Sequence, residues 1–294
     1  MYWQRKEKEK NPDTEILEKI LEIRKEHEDW GCKRIHGYLS KTMHINIKKV
    51  HRIIKENNLQ VETYHKRNGK YNSYRGKIGK VADNLIDRNF KSEKPHKKIT
   101  TDTTEFKYYE KDKTDTYQIK KLYLNPYLDM YNSEIISYSI SKKPNYAAIE
   151  KALYKAMQVT KDQKEVIYHS DQGWLYQIPR YVNKLKDNEI IQSMSRKGNC
   201  LDNSIMENFF SLIKQEMYNK KTFYSYEELE TAIIEYIDYY NNRRIKEKLN
   251  YMSPVEYRLY NENNKPSVKF NKSPFSIEKG LVTKNHANSY FHRW

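Results

Sequence analysis

Cysteine is scarce in this chain. Cys32 and Cys200 are the only two among 294 residues, far apart and outside any CxxC or Cys/His cluster. That usage argues against a disulfide framework and a structural zinc site and suits a reducing cytoplasm. Long apolar runs are missing as well. No stretch approaches the roughly 20 residues of a membrane span, and the opening MYWQRKEKEK carries charge without the apolar core of a signal peptide. The expectation is a soluble, intracellular protein with no membrane partner. Acidic residues are the minority charge: 39 Asp and Glu against 55 Lys and Arg leave +16 and a pI near 9.4. An excess of that sign fits a nucleic-acid partner. The abundance of Lys, Asn, Ile and Tyr equally fits a biased genome.

What is present is unevenly distributed. Residues 31–80 hold 13 Lys and Arg against two Glu, a local excess of +11. After a polar, frayed start over 1–11, Asp13 or Thr14 can cap a helix whose Ile16, Leu17, Ile20 and Leu21 share one face. Gly31 interrupts, and a short helix over Arg34–Leu39 follows. Asn46 can cap a third helix with Ile47, Val50, Ile53 and Ile54 inward and Lys48, Lys49, Arg52 and Lys55 largely on the other side. Three short helices with a basic last one suggest a helix-turn-helix over residues 1–63; a solvated face on a small bundle is the alternative. Residues 64–95 read as a basic linker in which Tyr71 and Tyr74 could stack on unpaired bases, or as a plain polar connector, with a short helix over Val81–Phe90.

A second domain is expected over 96–258. Ile99–Tyr109 is Thr-rich and aromatic, as a strand would be, and contains Asp102. Strand-like runs follow at Lys121–Asp129 and Ile135–Ser141, then a helix over Tyr146–Val159 capped by Asn145. The run Val166, Ile167, Tyr168 stops at HSDQG, which places Asp171 at a strand end, where open α/β sheets bind ligands. A helix over Gln177–Lys186, a short strand at Ile190–Ile191 and a helix from Ser204 complete the order β-β-β-α-β-α-β-α, a mixed sheet flanked by helices. In that last helix Ile205, Phe209, Leu212, Ile213 and Met217 recur at helical spacing while Glu207 takes another stripe, and Lys214, seven residues on, shares its face.

The intervening loop Ser195–Asn203 carries Arg196, Lys197 and Gly198 and could grip a DNA end, or be mobile surface. His169 reads as a group supporting the metal ligands, as a phosphate ligand, or as a histidine merely hydrogen-bonded at the strand end. Ser225 with Glu228 forms a capping box for a helix whose Leu229, Ala232, Ile233, Tyr236, Ile237 and Tyr240 make a packing stripe. At its end Arg243 and Arg244 offer phosphate donors, and Ser253, Pro254 and Glu256 start another helix. Residues 259–294 form a polar tail of unassigned role.

Asp102, Asp171 and Glu207 are the acids singled out: 69 positions separate the first two, and thirty-five residues lie between the second and third. Three carboxylates brought together need a cation or a proton to compensate them, and hard cations such as Mg²⁺ take carboxylate oxygens. The acids with HSDQGW, SMSRKGNCLDNSIMENFF, YYNNRR and MSPVEY resemble retroviral integrases and, more closely, the second-frame (orfB) product of IS-three-family insertion sequences, from about Trp30 to Arg258. One departure is Ile99, where the family often has Trp. The resemblance implies a ribonuclease-H-like fold with a five-stranded mixed sheet, preceded by a helix-turn-helix-like module. It implies a transposase that cleaves and transfers DNA strands with two Mg²⁺ or Mn²⁺ ions held by Asp102, Asp171 and Glu207. Lys48, Lys49, Arg52, Lys55, Arg196, Lys197, Lys214, Arg243 and Arg244 become the candidate DNA contacts. The implied partners are element ends, target DNA, further copies of the chain on bacterial nucleoid DNA, and a preceding-frame subunit or frameshift fusion, since no leucine heptads occur here. A nuclease of the same fold and a catalytically retired DNA-binding protein are the competing readings.

Overall fold

The computed structural model describes residues 12–61 and 81–264. Tyr71, Tyr74 and the rest of the linker up to 80, the start of the chain and most of the tail lie outside the described residues. Three helices come first, α1 (Pro12–Glu26), α2 (Cys32–Leu39) and α3 (Ile47–Glu56), as the apolar spacing predicts. Asn46 caps α3, its Oδ1 accepting from the Lys48 N–H at 2.8 Å. Asp13 does not cap α1; it lies in the first turn and its carboxylate pairs with Lys49 and Arg52 across the module.

Residues Val81–Phe90 form no helix, contrary to expectation. Groups elsewhere in the chain take up their polar atoms: the Leu85 N–H donates to Ser193 Oγ at 2.9 Å, and the Asp83 carbonyl accepts from the Met194 N–H at 3.2 Å. The segment is held as irregular chain beside the sheet.

The sheet consists of β1 (Lys98–Thr101), β2 (Thr104–Lys111), β3 (Tyr117–Asp129), β4 (Ile135–Ser141), β5 (Ile167–Ser170) and β6 (Ile191–Met194). The first two are one strand, interrupted. Thr101 faces Tyr127 and Thr104 faces Leu124, so Asp102 and Thr103 stand opposite Pro126 and Asn125 without any slip of register. Pro126 has no N–H to give a ladder, which suits the break. Because β4 occupies the other edge of β3 over Tyr123–Leu128, β1 and β2 must share the near edge. The spatial order is therefore β4, β3, β1 with β2, β5, β6: five strands, the first three antiparallel and the last two parallel to β1. This is the ribonuclease-H-like arrangement.

Helices cover both faces. On one, α4 (Tyr146–Thr160), the short α5 (Trp174–Gln177) and α6 (Pro179–Lys186) bury Ile149, Leu153, Tyr181 and Leu185 against Ile99, Tyr127 and Tyr168. On the other, α7 (Ser204–Glu216) and α8 (Tyr226–Asn242) bury Phe209, Ile213, Leu229 and Ile233 against Phe106, Leu122, Leu124 and Leu128. Side chains alternate between faces along a strand. Thr100, Asp102 and Thr104 thus fall on the side of α7, as does Phe106.

Ser225 Oγ accepts from the Glu228 N–H at 3.0 Å, but the Glu228 carboxylate goes to the Tyr224 N–H, so this cap is only half a box. Ser253 and Glu256 complete theirs at the start of α9 (Pro254–Asn263).

The helical module is docked on the sheet domain. Ile245 belongs to the module's core with Ile20, Ile35 and Ile53, and Tyr251 packs against it. Trp30, stacked on His27 at 3.9 Å, donates its indole N–H to Tyr239 OH at 3.0 Å. At the seam, Glu216 accepts from Arg244 at 2.6 and 2.8 Å, from Tyr236 OH at 2.9 Å and from Arg34 at 3.3 Å.

Candidate active site

The pairing of β1 with β5 sets the first two acids side by side. Ile99 lies beside Tyr168 and Thr100 beside His169, an offset of 69 positions that is also the separation of Asp102 from Asp171. Both acids follow the last residues of adjacent parallel strands, roughly 4.8 Å apart in the sheet, so their proximity is fixed by the ladder. Asp102 Oδ1 accepts from the Thr103 N–H at 2.7 Å, and Asp171 Oδ1 from the Gly173 N–H at 2.9 Å. Burial raises the proton affinity of Asp102 well above the carboxylate range, and the charges of Asp171 and Glu207 raise it further. Burial raises Asp171 as well.

Glu207 stands on the exposed side of α7, three residues into the helix, with its own affinity raised by partial shielding. Its charge reaches Asp102. Among the described residues no three His, Cys, Asp or Glu side chains close to the spacing of a finished metal cage. Lys214 lies two turns along the same helix. Its Nζ donates to Thr104 Oγ1 at 2.7 Å, sits 5.4 Å from the Phe106 ring centre and opposes the rise of Asp102.

The other expected contacts divide. Lys48 and Lys55 are exposed on α3, whereas Lys49 and Arg52 share the carboxylate of Asp13. Lys197 and Arg243 are exposed, the latter 3.4 Å from Asp238. Arg244 is not a phosphate donor: it is 3% exposed and its guanidinium is consumed by Glu216. Arg196 is also engaged, through Nε to Asp202 Oδ2 at 2.8 Å and through Nη2 to Asp87 at 3.2 Å. His169 is fully buried between Ser193 Oγ and the Asp202 carbonyl, the locally bonded role.

Little in the sequence pattern alone singles out Asp202 and Asn203, although they share a motif with Glu207. Asp202 has no exposure and collects Arg196, Arg88 and Asn84; the two arginines hold its carboxyl far below the usual range, Arg196 first. The available signal was an Asp-Asn pair directly before a helix start, where such side chains ordinarily cap.

Family models match this architecture piece by piece: an HTH-like domain over residues 11–67 and integrase core domains over 92–200 and 207–261. The integrase core thus defines a polynucleotidyl transferase. An uncharacterized transposase-like protein of Haemophilus influenzae is 45% identical over 225 residues, 76% of this chain and 98% of its own length. The putative transposase InsK of insertion sequence element IS150 from Escherichia coli is 40% identical over 247 residues, 83% of each. The transposase of insertion sequence element IS904 from Lactococcus lactis is 32% identical over 254 residues, 85% of this chain and 96% of its own. The chain belongs to the insertion-sequence transposases.

Proposed function

We propose that Asp102, Asp171 and Glu207 are the catalytic carboxylates of this transposase, serving both cleavage at the element's ends and joining of those ends to target DNA. The observation that carries this reading is the shared 69-residue offset, which puts two shielded carboxylates on neighbouring strands with a third acid's charge close by. The donor set fits a hard divalent cation, Mg²⁺ or Mn²⁺ and two ions in all: carboxylate oxygens only, with negative charge in excess of the one nearby ammonium. When bound, such ions activate an attacking oxygen and stabilise the leaving oxygen of a phosphodiester.

The chain's own groups supply the rest. Asp102 and Asp171 are held by backbone N–H donors, so they present fixed oxygens, while Glu207 approaches from the helix. Lys214 marks the line along which a DNA phosphate would lie, and Lys48 and Lys55 offer a second, distant set of phosphate contacts. The first nucleophile is water, and the 3′-hydroxyl it frees is the second. Each chain carries one set of acids and an element has two ends, so the working form is an oligomer on DNA. It acts on nucleoid DNA in the cytoplasm, alone or joined to a preceding-frame subunit.

The test is gel-resolved cleavage and strand transfer on element-end DNA, beside DNA binding. Glu207→Gln and Asp102→Asn should abolish both products while metal-free DNA affinity stays within a few-fold of wild type. Lys214→Ala should weaken end engagement and leave residual Mg²⁺-dependent chemistry. Wild-type activity in Glu207→Gln would overturn the assignment, and cleavage without joined product would make the protein a nuclease.

A further inference from the structure

Asn203 sits at the N-cap of α7, yet its side chain makes no capping bond. A cap residue of this type ordinarily turns its carbonyl oxygen to the first N–H groups of the helix. Here the amide, in a residue only 5% exposed, faces the sheet. Its Oδ1 accepts from Thr100 Oγ1 at 2.7 Å, and its Nδ2 donates toward Asp102 Oδ2 at 3.5 Å. Thr100 and Asp102 are two residues apart on one strand and therefore on one face. The amide spans them, anchored at one end and reaching the carboxylate with the other.

The consequence for Asp102 is a carboxylate partnered on both oxygens, Oδ1 by the Thr103 N–H at 2.7 Å and Oδ2 by Asn203. The donor is also neutral. A lysine in its place would fix the carboxylate equally well but would repel an incoming cation.

Asn203 is itself held from behind. Asp202 accepts from the Arg196 N–H at 3.0 Å, from Arg196 Nε and Nη2 at 2.8 and 2.9 Å, from Arg88 Nε at 3.1 Å and from Asn84 Nδ2 at 3.0 Å. Its carbonyl meets His169 Nε2 at 3.0 Å. This clamp ties the residues preceding the sheet, the loop after β6 and the start of α7 to one buried carboxylate.

We propose that Asn203 is a positioning residue: it holds the Asp102 carboxylate in the orientation a divalent cation requires, and the Asp202 clamp keeps Asn203 in place. The inference rests on the reading of Asp102 as a metal ligand. Groups that orient metal ligands typically change metal affinity by roughly 10- to 100-fold when removed.

The experiment uses the full chain and Mn²⁺ as probe, with free Mn²⁺ followed by electron paramagnetic resonance in the absence of DNA and thermal melting recorded alongside. Asn203→Ala should weaken Mn²⁺ binding by roughly 10-fold and move the Mg²⁺ midpoint of cleavage in the same direction. Thr100→Val, isosteric and lacking only the hydroxyl that anchors the amide, should shift both midpoints the same way by a smaller factor. Asp102→Asn is the control for the underlying reading. If it leaves Mn²⁺ binding at the wild-type level, Asp102 is no ligand and both readings fall. If Asp102→Asn removes binding while Asn203→Ala keeps the wild-type midpoint, the positioning role alone is overturned. Should Asn203→Ala fail to fold, Thr100→Val decides: a shifted midpoint supports the role and an unchanged one refutes it.

Discussion

Asp129 closes β3 at the far end of β1 from the acid pair, fully buried, with its oxygens taken by the N–H groups of His96 and Tyr131 at 2.7 and 2.9 Å. Burial pushes its affinity for a proton up to about 7. With the folded value raised above the ordinary 3.8, stability is greatest below 3.8 and is lost as pH rises toward and through about 7. Between pH 5.5 and 8 the loss is on the order of 2 kcal/mol. Asp129→Asn does not titrate, so its deficit in urea unfolding should shrink over the same interval. A constant deficit would mean that Asp129 titrates elsewhere. The Arg244 and Glu216 pair makes a complementary case. Arg244→Ala should cost about 3 to 5 kcal/mol, because a buried carboxylate loses its main partner; Arg243→Ala, at an exposed position, should cost under about 1. Chemical denaturation of the two variants reads the contrast. The word YYNNRR held no sign of which arginine turns inward, since Glu216 lies on a different helix. The strand-end position of Asp171 was legible because the run before it, Val166, Ile167 and Tyr168, has local strand character.

Among the elements, those with a repeating apolar pattern were legible, down to the caps at Asn46, Asn145 and Ser253. The Val81–Phe90 segment was misread because its partners, Ser193, Met194 and Asp202, are more than 100 residues away. The break between β1 and β2 was equally invisible, since Asp102 looks like any strand residue until Pro126 is set opposite it. For α3, four cations fall on one side of the sequence pattern, but Asp13 withdraws two of them into ion pairs. Lys48 and Lys55 are thus the sharper probes. Their joint replacement by Ala should weaken DNA binding and lower the slope of log affinity against log salt by about 0.9 for each phosphate no longer neutralised. An unchanged slope would make this helix a solvated face.

For the whole molecule, the helical module meets the sheet domain along a packed seam that includes Ile245, Tyr251 and the Glu216 contact to Arg34. A Cβ on Gly37 would lie 2.0 Å from the ring of Tyr251. Gly37→Ala should therefore destabilise the protein by about 1 to 3 kcal/mol through overpacking, and it should loosen the seam before it unfolds α2. Hydrogen exchange at Ile245 and Tyr251 in this variant would report the order of events. Simultaneous loss of protection throughout would refute it.

The same seam bears on DNA geometry. On the proposed reading, with α3 on DNA and the three acids cutting it, the docked module would work as a ruler that sets the distance from recognised sequence to severed bond. Duplex B-DNA turns once in about 10 to 10.5 base pairs. Inserting about five base pairs, half a turn, between the recognised stretch and the element's tip should carry the scissile phosphate to the opposite face and stop cleavage, whereas about ten should restore much of it at a shifted position. The tips of the element would then be constrained by length as well as by letters.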